Sequence, residues 1–372
     1  MKYNIWDKWD RLKVCLLGNN YIPEFFNNLN TKAESPLKQI CNETLEDLDN
    51  FKTILKEFGV DVIQPELDPK ERFVDNPSEY PRGPLQPRDH TLVIANECYI
   101  SDLDHPSIAQ VLKKYNTITE IKSSCLTVSE NFYNFIAGSD YPSYNDYVIN
   151  RRIPKYFKSF VWEELQQMMP KPPVSGAYVF PIGKDLTVGY EKEATDLIKY
   201  ENEYHIPSLK KFNVNYCPME GHMDANFLPL KPGVVLSLRD VQNYSETLPG
   251  WDICYLPEQS WSKVKGFNQL KKKNKGKWWL AGEEDNDEFT HFVETWLQDW
   301  VGYVEETVFD VNVLMLDEHH CCVSSLNNEK VNKFLKKHKI EPVYVPWRHR
   351  YFWDGGLHCI TTELVRGGSV RY

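Results

Sequence analysis

The residues best suited to chemistry are Gly355-Gly356-Leu357-His358-Cys359 near the end of the chain and His222-Met223-Asp224 well upstream. A thiol framed by paired glycines can be held close to a ligand, because glycine permits a tight backbone turn and leaves space beside the sulfur. A His-x-Asp in a strand puts both side chains on one face, since strand side chains alternate with period two. One face would then hold a proton carrier and an anion while the thiol approaches from another segment. That is the spatial logic of an activated-cysteine enzyme.

The elements that must position these groups repeat. Leu12 to Gly18 reads as a strand, Glu43 to Phe58 has helical periodicity, and Val60 to Pro65 is strand-like again. Further units begin at His90–Ala95, at Ala177–Ile182, at Met223–Leu228 and at Val311–Leu316. In each, a short turn leads to a second β-rich run, such as Cys98-Tyr99-Ile100 or Val234-Val235-Leu236-Ser237. Helices are expected over Ser107–Tyr115, Ala194–Tyr204 and Lys330–His338, with returning strands at Asn213–Cys217, Trp251–Leu256 and Pro342–Val345. The count is about five strand–strand–helix–strand units. Phe289, Phe292, Val293, Trp296, Leu297 and Trp300 follow helical spacing after an acidic start, a stripe for core or subunit packing that leaves a homodimer open. The proline-rich stretch Asp68–Pro87 reads as a surface loop, and the basic run Lys263–Lys277 as a solvated face.

The bulk properties exclude several classes. At 372 residues, 41% hydrophobic and 26% charged, the chain is an ordinary globular one, read as a single domain over 1–372. A net charge of -10 argues against nucleic acid as a partner and suits a small cationic substrate. Nine irregularly spaced cysteines and the lack of a leader point to free thiols in a reducing cytoplasm. Val14-Cys15-Leu16-Leu17 is too short for a signal-peptide core, and no run approaches a membrane span.

His222-Met223-Asp224-Ala225-Asn226-Phe227 followed by Lys231-Pro232-Gly233-Val234-Val235-Leu236-Ser237 resembles the amidinotransferase family of the guanidine-modifying, or pentein, superfamily. So do Val311-Asn312-Val313-Leu314-Met315-Leu316-Asp317-Glu318 and the Cys359 segment. Trp6-Asp7-Lys8-Trp9-Asp10-Arg11-Leu12 and Pro87-Arg88-Asp89 are similar to further family motifs, in the family's order. The resemblance implies an α/β propeller of five ββαβ modules around a pseudo-fivefold axis, with a central site and no metal or organic cofactor. It also implies transfer of an amidino group from arginine to an amine acceptor through a covalent amidino-cysteine. The small-molecule partners would be arginine and the acceptor. Two rivals stay open: a deiminase-type hydrolase using the same cysteine, and a lapsed pentein that only binds guanidines.

In this reading Cys359 is the nucleophile and His222 the acid and base, while Asp89 and Asp224 grip the guanidinium, whose spread of donors suits bidentate carboxylates. Arg348, in the aromatic loop Pro346–Asp354, is expected to cover the site and help choose the acceptor, with Arg239 and Asp310 as the alternative selectors. The loop's plainer reading is aromatics tucked onto the core. The cluster His319-His320-Cys321-Cys322 is structural rather than metal-binding, because adjacent strand residues point to opposite faces. One departure matters. Where the family carries an acid that orients the histidine, this chain has Ser175, and Met219, Gly221 and Val241 also differ at acceptor-selecting positions.

Overall fold

The same local pattern recurs five times: an antiparallel strand pair, a crossover, and a third strand parallel to the second. The computed structural model describes residues 2–73, 83–101, 105–121, 175–190, 206–218, 222–238, 246, 248–256, 280–283, 285–297 and 306–369. The expected helix at Ala194–Tyr204, the run Lys263–Lys277, Trp300, Arg239, Met219, Gly221 and Val241 lie outside these residues.

In the second module β3 (Thr91–Ile94) pairs with β4 (Glu97–Ser101), and α2 (Pro106–Tyr115) leads to β5 (Thr119–Ile121). The third has β6 (Val179–Ile182), β7 (Asp185–Tyr190) and β8 (Asn213–Pro218). The fourth has β9 (Phe227–Lys231), β10 (Val234–Ser237) and β11 (Asp252–Tyr255). Helices α3 (Asp287–Trp296) and α4 (Glu306–Val311) precede the fifth, which holds β12 (Leu314–Asp317), β13 (His320–Val323), α5 (Glu329–Lys337) and β14 (Glu341–Tyr344). The β6–β7 and β9–β10 turns need glycine, since Gly183 and Gly233 have left-handed φ of +66° and +83°.

The first module is the exception that closes the ring. It contains β1 (Leu12–Leu17), α1 (Glu34–Glu57) and β2 (Asp61–Ile63), and its missing partner is β15 (Thr361–Arg366) from the far end of the chain. Leu12 lies opposite Arg366 and Leu17 opposite Thr361. Before β15, α6 (Arg350–Trp353) ends at Asp354. Helix α1 starts nine residues earlier than its expected start at Glu43, because the apolar stripe already runs through Leu37, Ile40 and Cys41 before Thr44, Leu48, Phe51 and Leu55. The stripe at Phe289, Phe292 and Val293 is buried with Phe26 and Phe73 in the α1 core.

Apolar clusters join each module to the next. Val14, Leu16 and Leu364 pack with Val93 and Ile100, and Leu92 and Tyr99 with Val179 and Val188. Phe180 and Cys217 pack with Phe227 and Leu236, which meet Val313 and Met315. Leu314, Leu316 and Cys322 return to Cys15 and Leu17 of the first module. The five modules therefore form a closed cycle, as the resemblance implied.

Ion pairing locks the closure. Glu363 of β15 is buried with Lys8 at 3.3 Å, Arg366 at 3.3 Å and Arg88, which donates to its Oε2. Burial alone would raise the Glu363 pKa, but Arg88, Lys8 and Arg366 hold it well below the usual carboxylate range. Removing one member of such a buried cluster leaves charge uncompensated. Glu363→Gln should therefore cost about 3–5 kcal/mol in urea unfolding, whereas a loss under about 1 kcal/mol would mark the cluster as dispensable. Because the folded pKa is depressed, this contribution is full above the ordinary glutamate value of about 4.3 and fades as pH falls toward the folded value. The variant's stability deficit should shrink in the same direction.

Candidate active site

Cys359 sits in the turn between α6 and β15, 6% exposed. The two glycines before it are required by close approach. A Cβ at Gly355 would lie 2.1 Å from Gln86 Nε2, and one at Gly356 would lie 2.5 Å from Asn312 Oδ1. Gln86 Nε2 donates to the Trp353 carbonyl at 2.7 Å, so both glycines are pinned by side chains from other modules.

His222 and Asp224 do not lie in a strand. Met223–Ala225 is a 3-10 turn that begins after His222, and β9 starts only at Phe227. Asn226 Nδ2 donates to the His222 carbonyl at 2.7 Å, a local bond that replaces a ladder pairing. The two side chains consequently take different neighbours. Asp224, fully buried, accepts from His358 Nδ1 at 2.8 Å, and its Oδ2 lies 3.4 Å from Cys359 Sγ. His222, with its side chain 38% exposed, sits with Nδ1 3.6 Å from Asp89 Oδ1 and its ring edge-on to Tyr178.

The charges follow from burial. Burial pushes His358 down to about 4, with Arg88 acting the same way, so the imidazole is neutral near pH 7. A carboxylate can only accept, which puts the proton on Nδ1. Burial would raise the Asp224 pKa, but the hydrogen bond from His358 outweighs it and the net shift is downward. The Cys359 thiol is pushed well above its ordinary value by burial, then by Asp224 and Asp89. Two buried carboxylate oxygens, Asp224 Oδ1 and Asp89 Oδ1, have no hydrogen-bond partner. The arrangement is a protonated thiol facing two carboxylates that each leave a buried oxygen without a hydrogen bond.

Cys359, Asp224, Asp89 and His222 thus come together from three segments of the chain. Arg348 does not join them. Its backbone N–H and Nε bind Asp47 at 2.7 and 2.9 Å, and its Nη2 binds Glu46 and the Glu43 carbonyl, all on α1. Where the sequence suggested a cover over the site, the structure holds Arg348 on α1, whose acids claim it. Trp347, Phe352 and Trp353 of the same loop are buried in the α1 core, as the plainer reading had it. Asp310, buried in α4, accepts from Asn328 Nδ2 at 2.6 Å at the start of α5. Ser175 is buried with its hydroxyl on the Ala177 N–H at 3.2 Å, and the carboxylate beside His222 is Asp89.

Sequence reasoning missed Asn312, His358, Arg88 and Glu363 as parts of this site. The first three stand inside the motifs that drew notice, next to residues of more obvious chemistry. Arg88 donates from Nε to the His358 carbonyl at 2.6 Å, tying the turn before β3 to the cysteine segment. No sequence signal marks Glu363. Among the described residues no group of His, Cys, Asp and Glu could hold a metal ion, and no helix is long and apolar enough to cross a membrane.

No protein-family model matches the chain. A mitochondrial glycine amidinotransferase from Xenopus laevis is 23% identical over 401 residues, covering 99% of this chain and 83% of its own. An L-arginine:L-lysine amidinotransferase from Pseudomonas savastanoi pv. phaseolicola is 23% identical over 151 residues, 40% of this chain and 32% of its own. Among solved structures, an amidinotransferase of the saxitoxin biosynthetic pathway from Microseira wollei has a TM-score of 0.61 at 18% identity, covering 100% of this chain and 99% of its own. A ring of five ββαβ modules matched end to end by that structure gives this chain the fold of the solved pentein amidinotransferases, and its sequence is similar to that of glycine amidinotransferase over almost its whole length.

Proposed function

We propose that the protein moves the amidino group of L-arginine to an amine acceptor through a covalent amidino-cysteine on Cys359. The observation that carries the reading is the pair of unpartnered buried carboxylate oxygens, on Asp224 and Asp89, beside a buried thiol. Buried anionic oxygens want donors, and a guanidinium brings a planar array of them with a positive charge. The same cation would offset the two carboxylates that, together with burial, now hold the thiol protonated, so donor binding would favour nucleophile activation.

The steps then balance. Cys359 passes its proton to His222 and Sγ forms a bond to the guanidinium carbon. The bond from that carbon to the ornithine nitrogen breaks as His222, partly exposed and beside Asp89, gives a proton to the leaving amine. The acceptor amine attacks the amidino carbon and passes a proton to His222, the carbon–sulfur bond breaks, and His222 returns that proton to Sγ to restore the thiol. Asp89 stands in for the acid missing at Ser175, beside the histidine and facing the guanidinium. The relatives differ in acceptor by their names, glycine in one and lysine in another. Asp310 and Arg239 remain the candidates for selecting the acceptor here. A reducing cytoplasm goes with the reading, since the eight described cysteines are all unpaired, although the animal relative is named mitochondrial.

Incubation with labelled arginine and a panel of amines, resolved by mass spectrometry, should yield ornithine and one guanidinylated amine. Acid-quenched protein should carry the amidino adduct on the Cys359 peptide, and Cys359→Ala should lose both adduct and turnover. Citrulline as the product would mean hydrolysis, and an adduct on a different cysteine would end the assignment.

Asp89→Asn and Asp224→Asn keep shape while removing charge, and each should weaken arginine binding by about 2–5 kcal/mol in calorimetry. Unchanged affinity in both variants would contradict a shared grip on the guanidinium.

A further inference from the structure

Asn312, directly after α4, is 1% exposed and its amide is fully engaged. Its Oδ1 accepts from the backbone N–H groups of His358 and Cys359, both at 3.0 Å. Its Nδ2 donates to the Asp224 carbonyl at 3.2 Å and to Cys359 Sγ at 3.0 Å. The two backbone donors settle which end of the amide is oxygen, so the NH2 end must face the sulfur. Gly356 leaves the room this requires. A residue serving only to clamp the turn would need the oxygen alone.

The charged surroundings of Sγ make that donor matter. Asp224 from the turn before β9 and Asp89 from the turn before β3 both disfavour a thiolate. His358 beside it is neutral near pH 7, His222 lies next to Asp89, and Arg88 and Glu363 pair with each other behind the His358 carbonyl. Among the described residues, Asn312 is the one side chain donating to the sulfur. A hydrogen bond to a charged acceptor is stronger than one to a neutral acceptor, so such a donor favours the thiolate over the thiol.

We propose that Asn312 is a catalytic residue: its Nδ2 donates to Cys359 Sγ and stabilises the thiolate that attacks the guanidinium carbon, while its Oδ1 holds the nucleophile's backbone in register with Asp224. The inference rests on the reading of Cys359 as the nucleophile of amidino transfer.

The test follows the alkylation of Cys359 by iodoacetamide against pH, by peptide mapping, in wild type, Asn312→Ser and Asn312→Asp. Asn312→Ser removes the donor without adding charge, and the apparent pKa of alkylation should rise by about one unit or more. Its kcat should fall at least about tenfold, with the KM for arginine changed by less than about threefold, because the donor acts on the nucleophile and not on the guanidinium site. Asn312→Asp keeps an acceptor for the two backbone N–H groups but sets a carboxylate oxygen where Nδ2 donated, so its alkylation profile should shift at least as far as that of Asn312→Ser and kcat should not recover. Wild-type alkylation profiles in a folded variant, or wild-type kcat in Asn312→Asp, would overturn the proposal, and if the serine variant does not fold the aspartate variant decides. Alkylation needs no turnover. A failed transfer reading, seen as no arginine-derived adduct on the wild type, is therefore distinct from a failed role for Asn312, seen as an unmoved profile.

Discussion

The first module owns no first strand, and the whole arrangement depends on β15 returning from the far end of the chain to supply it. That strand brings Glu363, a carboxylate whose burial is tolerable only with cations gathered around it. Lys8 comes from the opening segment, Arg88 from the turn before β3 and Arg366 from β15 itself. One buried cluster therefore joins the start of the chain, the second module and the end. Since Cys359 lies just before β15, the closure that satisfies Glu363 also sets its thiol among groups from the other modules.

Around Cys359 the protein keeps two kinds of buried charge apart. On one side Glu363 is matched by three cations. On the other, Asp224 and Asp89 each leave an oxygen unmatched. His358 stands between them, neutral through burial, with its Nδ1 on Asp224 and its carbonyl on Arg88. It orients the one carboxylate without neutralising it. In this setting the thiol rests protonated, since burial and the two carboxylates all disfavour a thiolate.

Where the structure departs from expectation, local and tertiary bonding explain the difference. Alternation suggested that His222 and Asp224 share a strand face, but Asn226 bonds back to the His222 carbonyl and the segment turns instead. The turn proves more useful, because it sends the aspartate inward to Cys359 and leaves the histidine partly exposed beside Asp89. Likewise, Arg348 read alone looks like a free grip for an anion. Asp47 and Glu46, some three hundred residues earlier in the chain, hold it on α1.

The sequence by itself determined the fivefold repeat, through short β-rich runs, turn glycines and helical stripes, since these depend on periodicities within one segment. It also marked Cys359, Asp224, Asp89 and His222, whose chemistry shows in residue type and motif. It did not decide which strand completes the first module, because pairing across more than three hundred residues leaves no local trace. Nor did it reveal Glu363, Asn312 or the neutral state of His358. A buried charge, a satisfied amide and a depressed imidazole are properties of an environment, and only the closed ring supplies it.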